Sequence, residues 1–207
     1  MDAVDFRANI KKYYDEEAVL RDSKTIKADW KTAVRSDFCA LIKYEDKKTL
    51  LELGAGAGYD SRFFTDSGLA VTAVDISSEM VKKCKEKSIE AYELDFYNLA
   101  DLNRSFDCVY AINTLLHVPK TDLPDVLKGI NSVLNPQGLF YMGVYGGEDS
   151  ESEFVKIEVS DAPRYFSFYS EETLKAMLKK EFEIISFESF AVGDGNEIFR
   201  SITLRKR

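Results

Sequence analysis

TLLELGAGAGYDSRFF, residues 49–64, decides the fold of this chain. An apolar run from Thr49 to Leu53 leads directly into glycines at 54, 56 and 58, and then into a segment that opens a helix. Side chains larger than hydrogen would keep such a loop from wrapping closely on a ligand, and the helix that follows offers backbone N–H donors at its N-terminus. Strand, glycine loop and helix in this order begin a parallel α/β sheet with a ligand site at the end of its first strand. The dinucleotide fingerprint G-x-G-x-x-G would need a glycine at position 59. Tyr59 stands there, one residue after Gly58, so the spacing argues against a nicotinamide cofactor.

Downstream, β-prone runs recur at Ala70 to Asp75, Glu90 to Leu94, Phe106 to Ala111 and Leu139 to Val144. Between them lie segments with apolar residues at helical spacing: Asp60 to Asp66, Ser78 to Lys87 and Asp122 to Leu134. The rhythm predicts repeated β-α units. Phe182 to Ala191 and Ile198 to Leu204 add two last strands. The expected fold class is α/β: a doubly wound, seven-stranded, mostly parallel sheet, its last strand antiparallel, with helices on both faces. Upstream, Val4 to Leu20 and Ala28 to Lys43 carry helical periodicity and predict an N-terminal helical lid over residues 1–45. The core then occupies 46–207 as one structural domain, with a substrate-side insertion at about 146–170, acidic at first (GGEDSESE) and then aromatic (RYFSFYS).

Carboxylates end the next two strands. Asp75, in AVTAVDISSEMV, is suited to accept both hydroxyls of a ribose, because Ser77 or Ser78 can cap the following helix without it. Asp95 and Phe96, in YELDFYNL, offer an acceptor for an adenine amino group and a ring for its face.

E-x-G-x-G-x-G, an acidic end to the second strand and the D-F pair together resemble the class I S-adenosylmethionine-dependent methyltransferases, over most of the chain. The resemblance implies S-adenosylmethionine as cofactor, with S-adenosylhomocysteine as product. It implies cofactor contacts from Tyr14, Glu52, Gly54, Ala55, Gly56, Gly58, Asp75, Ile76, Asp95, Phe96 and Asn113, Glu52 and Gly54 meeting the methionine portion. Tyr14 and Ala18 match the N-terminal Y-x-x-x-A element that closes over the cofactor in many relatives, and a tyrosine face attracts a sulfonium. The loop after the fourth strand borders the methyl group in such enzymes. Asn113 and His117 thereby become candidates to position the acceptor or take its proton.

DWKTAVR (29–35), GVYGGEDSE (143–151) and PRYFSFYSEETL (163–174) resemble a subgroup of small bacterial-type methyltransferases of varied substrate. If they converge, Trp30, Arg35, His117, Tyr145, Arg164 and Phe168 line an aromatic substrate pocket with two cations, Arg35 and Arg164 joining His117 and Asn113 as candidate catalytic residues. Such a pocket suits an anionic acceptor. The leading expectation is O-methylation of a carboxylate on a small molecule or a peptide C-terminus. N-methylation of a small amine and a non-catalytic cofactor-binding module are the alternatives.

Composition narrows the partners. With 28 Lys and Arg against 36 Asp and Glu, the net charge is -8, which disfavours nucleic acid. No apolar run approaches the ~20 residues that span a bilayer, and no secretory signal opens the chain, so a cytoplasmic protein with no membrane partner is expected. Cys39, Cys84 and Cys108 read as reduced thiols. With His117 as the sole histidine, neither a metal site nor a serine-type triad is expected.

Overall fold

The computed structural model describes residues 3–23, 29–194 and 197–207. Residues 1–2 and 24–28, in the stretch expected as a lid and including Ala28, lie outside the described residues, as do Gly195 and Asn196.

In chain order the strands are β1 (Thr49–Leu53), β2 (Ala70–Asp75), β3 (Glu90–Glu93), β4 (Phe106–Ile112), β5 (Leu134–Gly146), β6 (Ser150–Lys156), β7 (Ser160–Phe168), β8 (Phe182–Val192) and β9 (Glu197–Lys206). Seven of them form one sheet in the order β3-β2-β1-β4-β5-β9-β8, and β6 and β7 form a separate antiparallel ribbon. Within the sheet only β9 runs against its neighbours β5 and β8. This is the expected doubly wound sheet, with the order of strands reversing at β1 and β4. Strand β5 starts five residues before the run expected for it, at a register irregularity opposite Phe106 and Cys108.

The helices are α1 (Ala3–Ser23), α2 (Asp29–Tyr44), α3 (Tyr59–Asp66), α4 (Ser78–Glu86), α5 (Leu123–Ser132) and α6 (Glu171–Leu178). Strand β1 is buried on both faces, so its sequence is a continuous apolar run instead of an alternation. Leu50, Cys108, Tyr110 and Tyr141 meet Val34, Phe38 and Ile42 of α2 and Phe64 of α3 on one face. Leu51, Leu53, Val109 and Phe140 meet α5 and α6 on the other. Helix α5 alone buries Leu123, Val126, Leu127 and Ile130, each worth about 1.5–3 kcal/mol of transfer free energy.

The two helices expected as a lid take different places. Helix α2 lies flat on the sheet as a core element, because Val34, Phe38 and Ile42 recur at helical spacing and are buried there. Helix α1 instead crosses the carboxyl ends of the strands. Arg7 pairs with Asp95 at 3.3 Å, Lys11 donates to the Ile76 carbonyl at 3.1 Å and to Glu93 at 2.7 Å, and Asp15 accepts from Ser77 Oγ at 2.6 Å. No helix among the described residues is long and apolar enough to cross a membrane.

Candidate functional site

Everything of chemical interest collects where β1 ends. The chain leaves Leu53 into Gly54, Gly56 and Gly58, all at positive φ. At Gly54 (φ +62) a Cβ would stand 2.6 Å from Thr114 Cβ and closer still to its hydroxyl. At Gly58 (φ +79), the residue before α3, a Cβ would stand 2.9 Å from Cys84 Sγ. Glycine is thus required twice for the same two reasons, a left-handed backbone and a close neighbour.

Asp75 organises this loop. Its Oδ2 accepts the Gly56 N–H at 2.8 Å and its Oδ1 accepts the Ser77 N–H at 2.9 Å. Ser77 in turn caps α4, its hydroxyl accepting from the Met80 N–H at 3.1 Å, so the cap is supplied as expected without the carboxylate. Asp75 is buried, and burial pushes its pKa above the usual carboxylate value against the two backbone hydrogen bonds that stabilise its charge.

A cavity of about 370 Å³ opens over this point. Its walls include Glu52, Gly54, Ala55, Gly56, Asp75, Ile76, Asp95, Phe96, Asn113, Tyr14 and His117, which come from the ends of β1, β2, β3 and β4 and from α1. Of the expected cofactor contacts, Gly58 alone is absent from the lining, since it opens α3 behind the loop. Glu52 is 2% exposed and accepts from the Ser61 hydroxyl. Asn113 sits at φ +54 with its Oδ1 buried and lacking a hydrogen-bond partner among the described residues. A buried orphan acceptor and carboxylate oxygens on one wall form a donor-seeking surface, suited to hydroxyl, amino and amine groups.

His117 reads clearly. Its Nδ1 lies 2.7 Å from the Tyr165 carbonyl oxygen, a bond only an N–H can make, so Nε2 carries the lone pair and accepts the Tyr14 hydroxyl at 2.7 Å. Burial lowers its pKa to about 4, and the charges of Arg164 and Arg21 act in the same direction. The imidazole is neutral at physiological pH and both nitrogens are engaged. Between pH 6.5 and about 4 the unfolded chain therefore binds a proton here that the folded chain does not, and folding stability falls as pH falls through that window. Urea unfolding of the wild type at pH 7 and pH 4 should show a loss about 3 kcal/mol larger than that of His117→Gln. Equal losses in both proteins would contradict the buried, neutral assignment.

The expected substrate pocket does not assemble. Trp30 packs on Phe199 at 4.3 Å and Phe190 at 6.1 Å, and Tyr145 meets the same Phe199 edge-on at 5.8 Å, all outside the cavity lining. Arg35 pairs with Asp60 at 2.8 Å and lies 4.0 Å from the Phe63 ring, because the seating of α2 on the sheet turns that position toward α3. Arg164 and Phe168 stand on β7, flanking Phe166, which is parallel to Phe168 at 6.1 Å. The acidic run of the insertion serves the ribbon and α6: Asp149 accepts from Thr173 Oγ1 at 2.7 Å and Glu151 from the Lys120 N–H at 2.7 Å.

Glu17, Arg21 and Thr114 also line the cavity and were not foreseen. Arg21 donates to Glu17 at 2.8 Å and covers the Tyr14 ring at 5.0 Å. Tyr14, Glu17, Ala18 and Arg21 lie at i, i+3, i+4 and i+7 on one helix face, and this spacing was the signal available. The three cysteines are buried and unbridged, and burial pushes the Cys84 thiol up to about 12. No cluster of metal-ligating side chains occurs among the described residues.

A family model described as a methyltransferase domain matches residues 30–185. By sequence, an uncharacterized methyltransferase of Schizosaccharomyces pombe is 30% identical over 111 residues, which is 50% of this chain and 42% of that protein. A ubiquinone biosynthesis O-methyltransferase of Xanthomonas campestris pv. campestris is 30% identical over 116 residues, 53% of this chain and 48% of that one. The chain thus spans less than half the length of these curated relatives. By structure, 1,6-didemethyltoxoflavin-N1-methyltransferase of Burkholderia thailandensis, with 1,6-didemethyltoxoflavin and S-adenosylhomocysteine bound, shares the fold at TM-score 0.75 and 18% identity, over 100% of this chain and 91% of that one.

Proposed function

We propose a function from one premise: the chain belongs to the methyltransferase-domain family, within the class I S-adenosylmethionine-dependent methyltransferases. It is an enzyme that transfers a methyl group from S-adenosylmethionine to a small molecule. The observation that carries this reading is the single cavity shared by Glu52, Gly54, Gly56, Asp75, Asp95, Phe96 and Asn113 at the ends of four successive parallel strands.

In this reading Asp75 accepts from the ribose hydroxyls, while Asp95 and Phe96 meet the adenine. Glu52 and the glycine loop hold the methionine portion, with the orphan Asn113 oxygen and the Tyr14 hydroxyl beside it. Bound there, the cofactor supplies a methyl group already activated by the positive charge on its sulfur. What the protein adds is alignment of the acceptor with that carbon.

The state of His117 bears on the acceptor. With Nδ1 protonated toward Tyr165 and Nε2 taken by Tyr14, it offers no lone pair to receive a proton. An acceptor that arrives already ionised avoids that need, and a carboxylate with a pKa of about 4 is such a group at neutral pH. A carboxylate oxygen forms its bond to the methyl carbon as the sulfur–carbon bond breaks. The two opposite charges cancel, and no proton moves. Carboxylate O-methylation, a peptide C-terminus included, is therefore the acceptor chemistry proposed.

Calorimetry is expected to show micromolar or tighter binding of S-adenosylhomocysteine and none of NADH. Incubation with S-adenosylmethionine and a panel of carboxylates, amines and phenols should yield a base-labile methyl ester, read by mass spectrometry. Tight binding of NADH alone would overturn the cofactor reading, and base-stable products only would overturn the acceptor chemistry.

A further inference from the structure

Six of the nine arginines in this acidic chain are paired with a carboxylate. Arg7, Arg21, Arg35, Arg62, Arg104 and Arg205 each have a carboxylate within 3.3 Å. Arg164 has no carboxylate within ion-pair distance among the described residues; the Tyr14 hydroxyl accepts from its guanidinium, and its Nε is buried without a partner. A guanidinium whose charge meets no carboxylate and whose buried Nε–H is idle is costly in a partly buried position unless something else meets them.

Strand register explains why no protein acid reaches it. In the β6–β7 ribbon, Phe154 lies opposite Arg164, Ser152 opposite Phe166 and Ser150 opposite Phe168. The acids of β6 fall on the alternate positions, Glu153 opposite Tyr165 and Glu151 opposite Ser167, so the pleat turns them to the other face. The face that carries Arg164 is left with aromatic rings and serines. Its guanidinium carbon lies 4.2 Å from the Tyr13 ring centre and 5.1 Å from that of Phe166.

This face adjoins the cavity at the residues that follow β4. Phe166 packs edge-on against His117 at 4.7 Å, and the charge of Arg164 acts on both His117 and Tyr14, which line the cavity wall. The three half-buried groups Arg164, Phe166 and Phe168 thus form a strip running from the cavity wall along β7.

We infer that Arg164 is the receptor for the acceptor's carboxylate, and that the acceptor is a carboxylate with a flat apolar body that lies along Phe166 and Phe168. The inference rests on the methyl-transfer reading above and deepens it. A planar fork of donors suits a carboxylate, and the neighbouring rings suit an aromatic or conjugated skeleton. Esterification removes the charge that Arg164 holds, so the product is bound less well than the substrate, which favours its release.

The test uses the full chain saturated with S-adenosylhomocysteine and measures benzoate and methyl benzoate by calorimetry or ligand-observed NMR. Wild type is expected to bind benzoate at least about tenfold more tightly than methyl benzoate. Arg164→Gln should weaken benzoate by about 10- to 100-fold, leave methyl benzoate unchanged and leave the affinity for S-adenosylhomocysteine within about twofold, which also shows that the variant is folded. Arg164→Lys should fall between, since it keeps the charge and loses the fork. Equal benzoate affinity in wild type and Arg164→Gln, or no preference of wild type for benzoate over its ester, would overturn the assignment. Failure of wild type to bind S-adenosylhomocysteine would overturn the underlying methyl-transfer reading, and the inference with it.

Discussion

Asp75→Ala should lower the affinity for S-adenosylhomocysteine by about 100-fold or more, since two hydrogen bonds to a charged acceptor are each worth about 1.5–3 kcal/mol. The expectation follows from the double duty of the side chain. Its oxygens hold the Gly56 and Ser77 N–H groups at 2.8 and 2.9 Å, and the same carboxylate faces the cavity. Alanine removes the ligand acceptor and leaves the buried Ser77 amide and the partly buried Gly56 amide unpaired, so the loop loses its shape as well as its charge. Asp75→Asn keeps the outline and one acceptor oxygen and should lose less. Calorimetric titration of both variants, with circular dichroism to confirm folding, decides the matter. An unchanged affinity in Asp75→Ala would sink the proposed map of the cofactor site.

Gly54→Ala should be nearly as damaging through a different mechanism. At φ +62 any Cβ costs about 1–2 kcal/mol in backbone strain, and here it also meets Thr114 at both Cβ and hydroxyl, so no side-chain rotation relieves the clash. Either β1 or the Asn113–Thr114 segment must move, and both border the cavity. Cofactor affinity should fall by about 100-fold and the melting temperature by several degrees. Adding Thr114→Gly should restore much of both, leaving only the cost of φ. A double variant as impaired as the single one would show that the clash is not the cause. Gly56→Ala makes a useful contrast, because its Cβ would find only Arg21 Cδ at 4.0 Å, so at φ +54 the backbone strain acts there without the clash and the loss of stability should be smaller.

Much of the architecture was legible because it rests on local pattern. Strands β1 and β2 begin and end where their apolar runs do, and the helices that cover the sheet follow their 3.6-residue spacing. The glycine loop and the strand-end carboxylates were readable for the same reason, since topology delivers strand ends to one edge. The substrate pocket was not. Whether Trp30, Arg35, Tyr145 and Arg164 meet depends on pairings across 25 to 169 positions, such as Arg35 with Asp60 and Trp30 with Phe199, which periodicity does not encode. The same holds for His117, whose meaning came from Tyr14 and Tyr165, each far from it in sequence. Helix α2 was misassigned to a lid because an amphipathic helix declares that it has an apolar face without declaring which surface covers it.

The attachment of α1 differs in kind from that of the loop beneath it. Asp75 fixes the loop through two backbone amides, that of Ser77 buried and that of Gly56 partly so, and the floor of the cavity is thus ordered in advance and ligand binding bears little entropy cost there. Helix α1 is held to the strand ends in good part by Arg7–Asp95 and Lys11–Glu93, and to the start of β7 by Lys12–Asp161, pairs that are wholly or partly solvated. Solvated pairs of this kind add little to stability, and each weakens as ionic strength rises. The molecule therefore has a floor whose geometry is largely insensitive to ionic strength and a roof whose grip is set by it.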